Sequence, residues 1–294
     1  MRGLGVVAGD FDADGWIDFF VVNDVHENQL YWGAAQLPLH EGAVLAGLAF
    51  SPSGEREGSM GVDLADFNGD GKADLFYTNF AGQDNSLLLA TGKRGYSNVT
   101  SRWGLSGPSR RWVGFGTIAA DFDLDGRPDL FVANGHVLYE SPSAPYRQPA
   151  QIFRNDAGAR MVEVSEQGGS YFSVPHVGRG VAVGDLDNDG APDLVIVHQN
   201  DPVTLLRNLH SSPRILKLTL KGTTSNPESG RKVAEWDETT VVVGPNGAPP
   251  DSRKALTCNA LKSTFCSTLH FGTPLALLQS RTDHQAAVRP SVDD

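Results

Sequence analysis

Cysteine and methionine are scarce in this 294-residue chain, which has two of the first and three of the second. That excludes a disulfide-dense scaffold and a thiolate-rich metal site. No run of apolar residues is long enough to cross a membrane as a helix. The short apolar start, Gly3–Gly9, leads straight into acidic residues and is unlike a signal peptide. Long stretches with the 3.6-residue helical period are also missing. The eight histidines (His26, His40, His136, His176, His198, His210, His270 and His284) include no pair at zinc-protease spacing. None stands beside a serine or cysteine in a nucleophile motif, and no phosphate-cradling or dinucleotide-binding glycine motif occurs. Basic charge is in deficit. With 24 Lys and Arg against 35 Asp and Glu, the net charge is −11, which leaves no electrostatic case for nucleic acid or an anionic membrane surface as partner.

What the chain does have is one nine-residue phrase, D-x-[DN]-x-D-G-x-x-D, written four times. The copies run from Asp10 to Asp18, Asp66 to Asp74, Asp121 to Asp129 and Asp185 to Asp193. Fifteen of the 35 acids lie in these loops, leaving 20 acids against 24 bases elsewhere, so the negative charge is concentrated there. Calcium takes six to eight oxygen ligands in flexible geometry, and carboxylates at alternating positions supply them. The ligands expected at positions 1, 3, 5, 7 (through the carbonyl) and 9 are as follows. In the first loop they are Asp10, Asp12, Asp14, Trp16 and Asp18; in the second, Asp66, Asn68, Asp70, Lys72 and Asp74. The third offers Asp121, Asp123, Asp125, Arg127 and Asp129, and the fourth Asp185, Asp187, Asp189, Ala191 and Asp193. A glycine at position 6 permits the sharp turn. Asn68 keeps an oxygen but loses a charge. Tight turns without an ion also favour Asp, Asn and Gly. Carboxylates crowded into nine residues repel one another, however, which argues for a cation, and magnesium demands stricter octahedral geometry. Four bound Ca²⁺, one per loop, would bring the net charge to about −3. An EF-hand would need a glutamate at position 12. Here that position is Val21, Tyr77, Val132 or Ile196, each inside an apolar run that reads as a strand.

Each loop therefore joins two strands. Five residues before its first aspartate stands a glycine (Gly5, Gly61, Gly116, Gly180), and short apolar strands follow on both sides. Third strands are expected at 28–32, 85–89, 151–155 and 203–207, and fourth strands at 96–100 and 161–165. Four short strands per repeat is the pattern of a β-propeller blade, so the fold class is all-β. Residues 36–58 and the Pro-rich 138–150 are too long for hairpin turns. Trp103 and Trp112 flank a Gly/Ser/Arg stretch and suit either a groove or a propeller core. His136 reads as a turn histidine bonded to backbone. Three segments are expected: propeller blades over 1–212, a small β domain over 213–279 with strands near 215–220, 239–244 and a hairpin within 251–272, and a disordered polar tail over 280–294. Cys258 and Cys266 face one another across that hairpin as either a disulfide or two thiols.

Several segments carry a family resemblance: Gly61-Val-Asp-Leu-Ala-Asp-Phe-Asn-Gly-Asp-Gly71, Leu130-Phe-Val-Ala-Asn-Gly-His-Val137, Gly178-Arg-Gly-Val-Ala-Val-Gly184, Leu218-Thr-Leu-Lys-Gly222 and Leu269-His-Phe-Gly272. On these the chain resembles the FG-GAP/VCBS-repeat proteins that end in an ASPIC/UnbV domain, a cartilage acidic protein-like family with integrin α-like calcium loops. The resemblance implies a seven-bladed, exported propeller with calcium between its strands, located outside the cell or in the periplasm. Gly230-Arg-Lys-Val-Ala departs from the family's Gly-Ala-Arg-Val. The chain opens inside the first strand of a blade and has four loops, so the expectation is that blades and a leader lie upstream of this reading frame, the alternative being a shorter ring. The function expected is a calcium-binding module for a protein or polysaccharide ligand in adhesion. The alternative that the resemblance carries is a component of a biosynthetic or polysaccharide-processing pathway.

Overall fold

The computed structural model describes residues 2–210, 216–224 and 235–243. These form antiparallel sheets with two short helices and one 3-10 turn. Blade 1 has β1 (Gly3–Gly9), β2 (Asp18–His26), β3 (Gln29–Trp32) and β4 (His40–Glu41), with β5 (Glu57–Gly58) pairing with the end of β2. Blade 2 runs β6 (Val62–Ala65), β7 (Asp74–Tyr77), β8 (Ser86–Ala90) and β9 (Tyr96–Asn98). Blade 3 runs β10 (Gly114–Ala120), β11 (Asp129–Asn134), β12 (Gln151–Asp156) and β13 (Arg160–Glu163). Blade 4 has three strands among the described residues: β14 (Gly178–Gly184), β15 (Asp193–His198) and β16 (Thr204–Leu206). Each sheet is a simple up-and-down meander, and the inner strands β1, β6, β10 and β14 adjoin in that order. This is a four-blade propeller arrangement.

Strand alternation explains how the blades stack. Val7, Phe20 and Leu30 are cross-strand neighbours on one face of blade 1. They share a buried cluster with Val62, Leu75 and Tyr77 of blade 2. The opposite face of blade 2, with Phe76 and Leu87, shares a cluster with Leu130, Val132 and Phe153 of blade 3. Phe131 and Ala133 on the far face of blade 3 then meet Leu194 and Ile196 of blade 4. Period 2 thus sends every second side chain into one junction and the remainder into the next. Phe20, Phe76 and Phe131 are fully buried, and each removes roughly 150–250 Å² from water.

The glycines five residues before the first three loops are required by the approach of the neighbouring blade. A Cβ on Gly5 would stand 2.4 Å from the carbonyl oxygen of Met60, one on Gly61 1.9 Å from that of Phe115, and one on Gly116 2.8 Å from that of Arg179. Blade backbones are therefore in direct contact at the inner strands.

The long segment 36–58 is more ordered than its composition suggests. It supplies β4, the single-turn helix α1 (Ala43–Ala46) and β5, and it buries Ala43, Ala46 and Leu48 in the junction of blades 1 and 2. The chain divides into two compact units. The first comprises 1–123, 127–188 and 192–209, and the second comprises 124–126, 189–191 and the chain from His210. In the second, β17 (Leu216–Thr224) and β18 (Glu235–Val243) form an antiparallel pair close to the two strands expected there. The hairpin within 251–272, Cys258, Cys266 and the tail 280–294 lie outside the described residues.

Candidate metal centres

Each acidic loop connects the first two strands of a blade, and its last aspartate opens the second strand. That residue anchors the loop. Asp18 is fully buried and accepts the N–H of Phe11 at 2.7 Å and of Gly33 at 2.6 Å. Asp74 does the same for Phe67 (3.0 Å) and Ala90 (2.8 Å), Asp129 for Phe122 (3.0 Å) and Asn155 (2.7 Å), and Asp193 for Leu186 (2.9 Å) and Asn208 (2.8 Å). One carboxylate thus ties the loop's second residue to the end of the third strand. The first aspartate shapes the turn: Asp10 accepts the N–H of Asp14 and of Gly15, and Asp66 that of Asp70 and of Gly71.

The backbone tightens at position 4, which is left-handed in all four loops: Ala13 (φ 58°), Gly69 (74°), Leu124 (59°) and Asn188 (62°). For alanine and leucine this costs roughly 1–2 kcal/mol each. Gly15 and Gly71 at position 6 hold φ 91° and 80°, which a glycine adopts freely.

Three of the four loops gather carboxylates into one concavity. In Asp10/Asp12/Asp18, Asp121/Asp123/Asp129 and Asp185/Asp187/Asp193, one oxygen from each residue lies within 4.8 Å of the others. Asp14, Asp125 and Asp189 stand outside these triads. The second loop forms no such triad among the described residues. Asn68 replaces the central carboxylate, and the Lys72 ammonium sits 2.7 Å from Asp70. With an amide at position 3, the carboxylates at the corresponding places in that loop are Asp66 and Asp74 alone.

The donor set suits a hard divalent cation. Asp123 Oδ1, on the middle residue of the third triad, is buried and accepts no hydrogen bond among the described residues. Burial pushes the Asp129 carboxyl up to about 7, with the charges of Asp123 and Asp121 adding to the rise against the two N–H bonds. Asp74 rises to about 6, and Asp18 also rises, in both cases chiefly through burial. A bound cation would reverse these shifts by favouring the ionised forms.

Several contributors carry no motif of their own. Asn155 donates through Nδ2 to the carbonyl of Phe67 in the second loop (2.9 Å), and Asn208 to that of Phe122 in the third (2.8 Å). The second and third loops are thus held partly by the following blade. Arg94 reaches Asp12 at 2.5 Å from a hairpin 82 residues away and lies over the Trp32 ring, while Arg207 pairs with Asp187. The parallel third-strand endings Arg154-Asn155 and Arg207-Asn208 were the available signal.

Among the singled-out residues away from the loops, Trp103 is 2 % exposed, in the junction of blades 2 and 3. Trp112 is half-buried and lines a cleft of about 610 Å³ with Pro108, Arg111, Pro149, Glu163 and Phe172. His136 is buried, its Nδ1 accepting the N–H of Leu138 at 2.9 Å, and burial lowers its pKa.

Glu57 is a buried carboxylate outside the loops. It accepts from Tyr77 Oη at 2.8 Å and from Asn79 Nδ2 at 3.1 Å, and burial raises its pKa above the ordinary 4.5. A raised acid contributes stability that is complete below its unfolded pKa and is lost as pH rises through the folded value. Glu57→Gln is therefore expected to flatten the decline in unfolding free energy from pH 4.5 toward pH 8, by about 1 kcal/mol. Denaturation curves at the two pH values check this; parallel declines in wild type and variant would refute it.

Antiparallel blades meeting through their inner strands, each with an acidic loop between its first two strands, define a β-propeller of acidic-loop repeats. The chain belongs to the FG-GAP-like repeat family, whose model matches residues 10–77, 66–132 and 121–196. It is similar to cartilage acidic protein 1 of Mus musculus (30% identity over 199 residues, 67% of this chain and 29% of that protein). The Homo sapiens protein is 29% identical over the same length, again 67% of this chain and 28% of the relative. The Xenopus tropicalis protein is 34% identical over 142 residues, 47% of this chain and 20% of the relative. The chain therefore spans under a third of the length of these relatives. Among solved structures, an Agrocybe aegerita lectin that recognises non-reducing terminal N-acetylglucosamine aligns at TM-score 0.41 and 16% identity, covering 75% of this chain and 58% of the lectin. A Bacillus licheniformis rhamnogalacturonan lyase aligns at TM-score 0.38 and 16% identity, covering 72% and 42%.

Proposed function

We propose that this chain is a calcium-binding propeller module that presents a stiffened surface to a protein or polysaccharide ligand outside the cytoplasm. The observation that carries the calcium reading is the set of three carboxylate triads, with an undonated buried oxygen of Asp123 in one of them. Calcium would offset most of the charge of each triad and hold the two inner strands of a blade together. Binding to the folded state alone raises stability by mass action, by about 2.7 kcal/mol at a hundredfold excess over Kd. The first, third and fourth loops fill first, and the second fills last because Asn68 and Lys72 weaken its field. Ligand binding falls to the connections between blades, which a rigid scaffold positions. The cleft beside Trp112 offers an aromatic ring, two prolines and both charge signs. Millimolar calcium outside the cell matches such loops. Among the described residues, no helix is long and apolar enough to span a membrane.

The test is a thermal melt in chelator and across a calcium titration, with metal content measured on the same sample. The expected result is a calcium-dependent rise in Tm, with three ions bound before a fourth. A Tm indifferent to calcium, with no metal retained, would refute the reading.

A further inference from the structure

One basic side chain of blade 2 stands against the acidic loop of blade 1. Arg94 sits in the connection between β8 and β9, 82 residues along the chain from Asp12, and its Nε donates to Asp12 Oδ2 at 2.5 Å. Its Nη2 lies 3.6 Å from Asp14 Oδ2. The guanidinium also lies over the ring of Trp32 at the end of β3, 4.8 Å from the centroid. Asp12 belongs to the triad with Asp10 and Asp18, and its side chain is 3% exposed against 52% for Arg94. Its other oxygen, Oδ1, accepts the Asp14 N–H at 3.2 Å. Both oxygens of this carboxylate are thus engaged, one by the loop itself and one by the neighbouring blade.

A carboxylate this buried needs a counter-charge, because an ion taken out of water without a partner is strongly destabilising. Arg94 can supply it, and so can a cation in the triad. The two oppose one another. Like charges a few ångströms apart repel, and an oxygen already bonded to a guanidinium has less charge to give an ion. The arrangement recurs. Asp187 holds the third position of the fourth loop, as Asp12 does of the first, and it pairs with Arg207 just beyond β16. One arginine comes from the following blade and the other from the loop's own blade, yet both meet the same position. Arg94 is half exposed and carried on a turn, so it is able to leave the carboxylate, with Trp32 as a second contact.

On the calcium reading of the loops, on which this rests, we propose that Arg94 is an ionic latch on the first loop. At low calcium it neutralises Asp12 and ties blade 2 to the loop of blade 1. It is displaced when an ion takes that carboxylate. Arg94 is thus a positioning residue that lowers the calcium affinity of this loop while holding the junction of blades 1 and 2 against calcium loss. The first loop then responds to calcium at higher concentration than its carboxylates alone would set, and filling it releases the turn 91–95.

The test compares wild type, Arg94→Gln and Arg94→Lys, as full chains, by terbium luminescence excited through tryptophan, with calcium as competitor. Trp16 lies in the first loop and Trp32 beneath Arg94, and the part of the signal lost in Asp10→Ala belongs to that loop. Arg94→Gln is expected to bind calcium there about fivefold more tightly. Arg94→Lys keeps a charge without the planar fork and should lie between Arg94→Gln and wild type. Thermal melts give a second readout: Arg94→Gln should melt below wild type in chelator and no lower than wild type in saturating calcium. Equal or weaker calcium binding by Arg94→Gln would overturn the proposal. So would an equal loss of Tm in both buffers, the result of a purely structural tie between blades. Binding of neither calcium nor terbium by any of these proteins would overturn the calcium reading as well.

Discussion

Replacing Asp129 with alanine is expected to lower the unfolding free energy in saturating calcium by about 3–5 kcal/mol, among the largest effects of any single side chain here. Two losses combine. The N–H groups of Phe122 and Asn155, now bonded to Asp129 at 3.0 and 2.7 Å, are left without an acceptor in a site where the carboxylate is 2 % exposed. An unmatched buried donor costs roughly 1–3 kcal/mol. The cation also loses the ligand joining the loop to the second strand. In chelator the balance changes, because burial and the charges of Asp123 and Asp121 already push Asp129 up to about 7. Removing the carboxylate there relieves repulsion, and the loss should shrink to about 2 kcal/mol. Asp129→Asn separates the two parts. It keeps an acceptor for only one of the two N–H groups, which use different oxygens of Asp129, so its loss in chelator should be about 1–2 kcal/mol, no larger than that of alanine, and it should fall further below wild type in calcium. Denaturant unfolding of the three proteins in both buffers measures this. Equal losses in calcium and chelator would mean that the aspartate serves only as a hydrogen-bond acceptor.

The difference between what the sequence announces and what it conceals follows the distance over which each interaction acts. Loop, flanking strands and preceding glycine fall within about 25 residues, and their repetition made the all-β propeller and the four acidic loops legible. Residues 36–58 read as an insertion because nothing local distinguishes Glu57-Gly58 as a strand. It becomes one by pairing with Asp24 and His26 at the end of β2. Asn155 and Asn208 act on the loop of the preceding blade, 88 and 86 residues away, so no motif within their own repeat marks them. Arg94 likewise meets Asp12 only once blades 1 and 2 have stacked. The second loop shows the opposite limit. Its phrase is as regular as the others, yet one amide and one ammonium alter what it can gather.

Gly61→Val is expected to be the most damaging substitution on an inner strand, at about 3 kcal/mol or more. An added Cβ would stand 1.9 Å from the Phe115 carbonyl oxygen, and that oxygen also accepts the Thr78 hydroxyl at 2.9 Å. Thr78 in turn accepts the Gly61 N–H at 2.9 Å and donates its own N–H to the Gly61 carbonyl. The obstacle is backbone, so no rotamer change relieves it, and separating the strands would open a network between blades 2 and 3. Chemical denaturation in calcium measures the loss, with Gly54→Ala, at a site where a Cβ meets nothing within 4 Å, as a measure of ordinary loop strain at φ 81°. The informative comparison is with Gly180→Val, where an added Cβ would meet, among the described residues, only the Val197 Cβ at 3.9 Å. The two glycines occupy the same place in the repeat and differ only in what stands against them. A large loss at Gly61 beside a small one at Gly180 would assign the glycine to the junction between blades. Equal losses would assign it to the strand itself.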